Sequence, residues 1–189
     1  MIIKKLFNPS HVPYHMITIL RIGHRPQRDK RITTHVALVA RAFGADNIII
    51  NEEDAKIKET ISSVVESWGG DFRVSFEGWR SFLKSYKGTV VHLTMYGLPF
   101  EDKIDEIRDI DGDMCVIVGA EKVPPDVYKM SSYNLSVGNQ PHSEVSALAL
   151  YLDRYFKGNE FNNKYPNANL SIEPCDRGKI VKGKRHKID

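Results

Sequence analysis

The stretch VGNQPHSEVSALALYLDRYF, residues 137–156, decides how this chain is read. Its second part (SEVSALALYLDRYF, 143–156) carries apolar side chains at helical spacing, so it forms a helix that must pack one face. Its start closes YNLSV (133–137), an apolar strand. Between strand and helix stand Gly138, Asn139, Gln140, Pro141 and His142. Glycine after strand residues lets the backbone turn sharply and approach a ligand closely, and a proline beyond it stiffens the loop. A polar, conformationally specified loop in that position reads as a ligand loop.

Two further strand ends share the design. HLTMYGLP (92–99) and VGAEKVPP (118–125) each put glycine after β residues and proline beyond it. Ligands of open parallel sheets sit beyond the carboxyl ends of the strands. Any one such loop can be only a turn, but three late in one sheet point to a shared site. The remaining segments supply that sheet. MITILRI (16–22), NIII (47–50), FRVSF (72–76), TVVHLTM (89–95) and MCVIV (114–118) read as strands. TTHVALVARAF (33–43), EEDAKIKETISSVVESW (52–68), WRSFLKSY (79–86) and residues 101–108 and 126–131 read as helices or helical turns. Gly44 and Gly69-Gly70 stop two of the helices, and acids are expected in the first turn of the second. Apolar strands without polar alternation, interleaved with helices, predict an α/β fold: a mostly parallel sheet covered on both faces. Residues 16–156 form this domain. KGNEFNNKYP (157–166) reads as a polar linker, and 169–172 with 179–181, flanking CDRG, as a small β-hairpin in the tail 157–189.

The bulk numbers bound the function. The chain has 189 residues, 41% of them hydrophobic, enough for one domain with a real core and too many for wholesale disorder. No apolar run approaches the roughly 20 residues that span a bilayer. MIIKKLFNPSHVPYH lacks a secretory signal pattern, so a cytoplasmic protein is expected. Cys115 lies in an apolar run and reads as a buried small hydrophobe; neither it nor Cys175 has metal-ligand spacing, so no metal is expected. The net charge of +3 is unevenly spread. RIGHRPQRDKR (21–31) and RGKIVKGKRHK (177–187) together carry +10, leaving −7 for the rest. A mildly acidic body with two basic segments predicts a polyanion partner, nucleic acid first; a solvated loop and a frayed tail are the plain alternative. The first strand is followed by RIGHRPQR, with a single glycine, and G-x-x-x-x-G-K-[ST] is absent, so neither a dinucleotide fold nor a P-loop is supported. The site must be built from the C-terminal half.

Four segments carry a resemblance: RIGHRPQRDKRITTHVALVARAFGA (21–45), VHLTMYG (91–97), VGAEKVP (118–124) and GNQPHSEVSALAL (138–150). Together they resemble the SPOUT class of S-adenosylmethionine-dependent RNA methyltransferases, and within it the branch of archaeal tRNA (cytidine-56)-2′-O-methyltransferases. The resemblance implies a deep trefoil knot in the C-terminal half of the domain, a C-terminal β-hairpin, a homodimer, tRNA as partner and S-adenosylmethionine as donor. It implies that Leu93, Gly119, Ala120, Glu121, Lys122 and Val123 line the donor site. It also implies that Val137, Gly138, Asn139, Gln140, Pro141, His142, Ser143 and Glu144 close over the donor, with Leu148 among the apolar contacts.

Methyl transfer from a sulfonium needs alignment of donor and acceptor and help in removing the ribose proton. An arginine suits this by holding phosphate and stabilising developing oxyanion charge, since a guanidinium is too weak an acid to serve as a base. Related enzymes place that arginine inside the first helix, where the alignment on Ala42-Phe43-Gly44 puts Leu38. Arg21, at the strand end, and Arg31, just before the expected helix, are therefore the leading catalytic candidates. Arg25, Arg28 and Lys30, with Lys182, Lys184 and Arg185 in the tail, are expected to meet RNA. His142 and Glu144 are candidates for proton handling; for His142 the alternative is a loop-shaping role, and Ser143 can be an N-cap. His35 reads as structural. His24 either contacts phosphate or is simply exposed. Two other readings stand beside this one: a methyltransferase of the same fold acting on a base or another RNA, and a non-catalytic RNA-binding protein that keeps the fold.

Overall fold

The apolar runs become six parallel strands: β1 (Ile17–Ile22), β2 (Asn47–Ile50), β3 (Arg73–Phe76), β4 (Thr89–Pro99), β5 (Met114–Gly119) and β6 (Tyr133–Ser136). Between and after them run α1 (Lys30–Ala42), α2 (Ala55–Trp68), α3 (Trp79–Ser85), α4 (Ile104–Arg108), α5 (Pro125–Met130) and α6 (Glu144–Phe156). The structure is a computed structural model that describes residues 15–120 and 122–183.

The sheet order is β3-β2-β1-β5-β4-β6, with every pairing parallel. Strand periodicity sends alternate side chains to opposite faces, and the two faces have different partners. Ile17, Ile19, Val116 and Val118 pack with Val36, Ile57, Ile107 and Leu148 of α1, α2, α4 and α6. Leu20, Ile22, Cys115 and Ile117 pack with Leu83 of α3 and Val127 of α5. Arg21 shares the parity of Ile17 and Ile19, so it points toward the face covered by α1 and α6. All six residues of β1 are buried, as a central strand covered on both faces requires.

Four expectations are corrected. α1 begins at Lys30 rather than residue 33, because the carbonyl of Arg25 already turns the chain by accepting from the N–H groups of Arg28 and Asp29. α2 begins after Asp54, whose carboxylate accepts from the N–H groups of Lys56 and Ile57; Glu52 and Glu53 fall outside, and the first turn holds no acid. β4 does not stop before Tyr96-Gly97 but runs to Pro99, with a register shift against β6 between Leu93 and Leu98. A Cβ on Gly97 would stand 2.5 Å from the carbonyl oxygen of Asn134, so this glycine serves close strand approach rather than a turn. Residues 157–166, expected as a polar linker, are packed. Phe161 meets the Phe43 ring edge-on at 5.5 Å, the Tyr165 hydroxyl donates to the carbonyl of Arg41, and Gly70 N–H donates to that of Pro166. Beyond them β7 (Leu170–Glu173) and β8 (Ile180–Gly183) form the antiparallel hairpin.

Candidate active site

The strand order reverses direction between β1, whose chain leaves toward β2, and β5, which belongs to the other half of the sheet. At such a switch point the carboxyl ends open a crevice. Three loops meet there. Gly23 follows β1 with φ +80, and a Cβ on it would stand 2.9 Å from that of Ala120, so the β1 and β5 loops touch only because residue 23 is glycine. A Cβ on Gly119 would stand 2.0 Å from Val123 Cγ2, so the β5 loop folds back over its own glycine. The third loop, residues 137–144, is tied to the irregular end of β4: Asn139 Nδ2 donates to the Met95 carbonyl at 2.7 Å. Gly138 has φ +145 with nothing within 4 Å of a Cβ position, leaving its backbone open.

The structure brings two catalytic candidates together and separates the other two. Arg21 is 1% exposed, and its Nη2 donates to Glu144 Oε1 at 2.8 Å. Burial pulls this guanidinium below its ordinary value, against the opposing pull of the Glu144 carboxylate. Arg31 is exposed on the first turn of α1. Its guanidinium meets no partner among the described residues. His142 is exposed, and its Nδ1 lies 2.6 Å from the carbonyl of Gln140 in its own loop. Ser143 caps α6, its Oγ accepting from Val145 N–H at 3.2 Å. Leu93 and Leu148 lie in the core beneath the loops. Val137, Ala120 and Val123 are half-buried, while Gln140, Pro141 and Lys122 are exposed. Glu121 lies outside the described residues.

The basic rim is partly committed. Arg25 pairs with Asp29 at 2.6 Å, and Arg28 reaches the same carboxylate at 4.0 Å. Lys30 Nζ stands 3.8 Å from Asp54. Lys182 on β8 pairs with Glu173, and Lys184 and Arg185 lie outside the described residues. His24, expected at the surface, is instead 2% exposed. Its Nδ1 is 2.9 Å from Thr33 Oγ1, its Nε2 3.4 Å from Asp54 Oδ2, and its N–H donates to Asn51. Burial draws the imidazole below its ordinary value, with Asp54 opposing. Sequence reasoning missed Thr33, Asn51 and Asp54 as neighbours of the site; the N-cap character of Asp54 ahead of a helical run was the available signal. Among the described residues no group of three or more His, Cys, Asp or Glu is placed to hold a metal. No described helix is long and apolar enough to cross a membrane.

A mostly parallel sheet with three glycine-bearing loops gathered at its switch point is the architecture of the SPOUT methyltransferases, and comparison with solved structures agrees. Ribosomal RNA small subunit methyltransferase E from Neisseria gonorrhoeae, bound to S-adenosyl methionine, aligns with a TM-score of 0.57 at 16% identity, covering 76% of this chain and 66% of that one. At that identity the likeness is one of fold. Sequence comparison is more specific. The family described as tRNA ribose 2′-O-methyltransferase, aTrm56, matches residues 68–182. The tRNA (cytidine(56)-2′-O)-methyltransferase of Pyrococcus abyssi is 56% identical over 172 residues, 88% of this chain and 87% of that protein. The enzyme of the same name from Thermococcus kodakarensis is 54% identical over 173 residues, 88% of this chain and 96% of the other. The chain belongs to this family of tRNA ribose 2′-O-methyltransferases.

Proposed function

We propose that this chain methylates the ribose 2′-oxygen of cytidine 56 in the TΨC loop of tRNA, with S-adenosylmethionine as donor. The observation that carries the reading is the convergence of Ala120 and of the loop 137–144 on the end of β1, beside the basic start of α1. The residues fit a nucleoside sulfonium. Gly138 leaves backbone uncovered, and Leu93 and Leu148 give an apolar floor. Polar backbone over an apolar floor reads an adenine edge and a methionine chain without opposing the sulfonium with a buried cation. When bound, the donor supplies a methyl group already activated toward an oxygen nucleophile.

The chain's own groups do the rest. Loop 137–144 holds the donor against the β5 loop, so that the methyl and the incoming oxygen lie in line. Arg31 is exposed beside the basic segment and without a carboxylate partner among the described residues, so it is the arginine able to hold phosphate and stabilise charge developing on the 2′-oxygen. Arg25, Arg28 and Lys30 steer the polyanion, and Lys182, Lys184 and Arg185 extend that contact from the tail. The reading includes the knotted path of the C-terminal half, a cytoplasmic location and a homodimer. Leu150 on α6 and Tyr96 and Leu98 on β4 are large apolar side chains left exposed, as a self-association face requires. The test is to incubate the chain with unmodified tRNA transcript and labelled donor, then map the methylated nucleotide by mass spectrometry. A ribose methyl at cytidine 56 is expected; a base methyl, another nucleotide or no transfer would overturn the proposal.

A further inference from the structure

The loop at residues 137–144 has to stay in place with little packing, because residues 138–143 are exposed. Two tethers hold it. One is the Asn139 bond to the Met95 carbonyl. The other, Arg21 to Glu144, is unusual, because its arginine lies inside a central strand and is 1% exposed. A guanidinium is always charged and only donates, so burying one is unfavourable unless its donors are met. Its Nη1 and Nε reach the Ile22 carbonyl and Thr33 Oγ1 only at 3.5 Å each. The 2.8 Å bond to Glu144 is therefore the main compensation.

The rest of the surroundings fixes the aim of that group. Thr33 is fully buried, and its hydroxyl accepts from Arg21 Nε, which leaves its single proton for His24 Nδ1 at 2.9 Å. A neutral His24 then carries its own proton on Nε2, facing Asp54 Oδ2 at 3.4 Å. The other oxygen of Asp54 caps α2. Donor and acceptor thus run one way from Arg21 through Thr33 to His24, and Asp54 stands beyond the ring as its ionic neighbour, Oδ2 and Nε2 making no hydrogen bond. The spine reaches from the first residue of α6 to the cap of α2. Glu144, with 24% of its side chain exposed, is the member at the loop boundary.

We propose that Arg21 is a positioning residue and not a catalytic residue: through its ion pair with Glu144 it latches the loop 137–144 in the donor-holding shape, and Thr33, His24 and Asp54 keep the guanidinium aimed. A substrate phosphate or ribose could engage Arg21 only by displacing Glu144 from a buried pair. The proposal rests on the methyltransferase reading for what the loop holds, but the latch itself is a property of the free chain.

The test uses the full chain and the variants Glu144→Gln and Arg21→Lys. Amide hydrogen exchange without any ligand reads the latch directly, since a loosened loop opens more often. Exchange across residues 138–146 is expected to rise about tenfold in both variants, the loss of one charge-assisted hydrogen bond, with the core strands unchanged. In the presence of donor, the dissociation constant and the donor KM should rise by about the same factor. The kcat at saturating donor should stay within about threefold of the parent, and the KM for tRNA should not move. A fall in kcat with donor affinity and loop exchange unchanged would make Arg21 catalytic and overturn the latch; so would unchanged exchange alone. If Arg21→Lys fails to fold, Glu144→Gln, which keeps the shape and an acceptor, decides. If the parent chain neither binds donor nor methylates tRNA, the functional reading falls, while the exchange result still decides the latch.

Discussion

Two arginines ten residues apart have opposite surroundings, and surroundings rather than residue type assign their roles. Arg21 is buried against a carboxylate, whereas Arg31 is exposed with no partner among the described residues. An arginine whose charge is already neutralised has little field to offer a transition state, while an unpaired one at the rim has its full charge. Arg31→Ala is therefore expected to lower single-turnover methylation by about a hundredfold. The donor dissociation constant, measured by titration calorimetry, should stay within about twofold. A variant with normal turnover would remove Arg31 from the chemistry. Histidine gives the same lesson. His142, in the loop, is exposed and bonded to its own Gln140 carbonyl, while His24, in a basic stretch, is the one enclosed by polar partners.

At the level of elements, the donor loop depends on a strand irregularity. The register shift between Leu93 and Leu98 pushes residues 94–97 out of the β6 ladder and turns the Met95 carbonyl toward Asn139. Asn139→Ala should weaken donor binding roughly fivefold, the worth of one neutral hydrogen bond, without lowering the urea midpoint of the domain. Unchanged donor affinity would show that the shifted register does not serve the loop. That shift also marks where the sequence stops being legible. The alternation of strands and helices is readable because central strands of a covered sheet are apolar throughout, and because Gly44 and Gly69 stand at helix ends. The loops after β5 and β6 are readable for the same local reason. Gly97 misleads because a glycine before Leu-Pro looks like a turn, and its true constraint, the Asn134 carbonyl, comes from a strand 37 residues on. The burial of Arg21 is illegible too: its compensating carboxylate lies 123 residues away. The packing of residues 157–166 rests on Phe43, Arg41 and Gly70, which are distant in sequence and give no periodic signal toward this segment.

For the whole molecule, charge governs both substrate capture and stability. Trimming residues 177–189 should raise the KM for tRNA and flatten its salt dependence, by a slope of about 0.7–0.9 for each phosphate no longer neutralised; an unchanged slope would leave the tail without a role in binding. Inside the fold, buried titratable groups press in opposite directions. His24 and His92 are both held below their ordinary value by burial, against the opposing pull of the acceptor oxygens of Asp54 and Asn134. The folded state then binds fewer protons than the unfolded chain, where histidine titrates near about 6.5. Stability is thus present above that value and is lost as pH falls below it. Glu160, 1% exposed, is the counterpart. Burial first, and the neighbouring Asp153 with it, hold its carboxyl above the ordinary range. Its folded form keeps the proton more tightly than the unfolded chain. Its contribution is therefore full below the ordinary carboxylate value and is lost as pH rises through the folded one. Glu160→Gln keeps the shape and removes that loss. It should raise stability by about 1 kcal/mol at pH 8 and change it little at pH 4, read from urea midpoints at constant m. Because the residue sits in the packed segment between α6 and the hairpin, the same variant should also slow amide exchange there at pH 8. Destabilisation at pH 8 would mean that the folded chain uses Glu160 as a charge, with a cationic partner that holds this segment down.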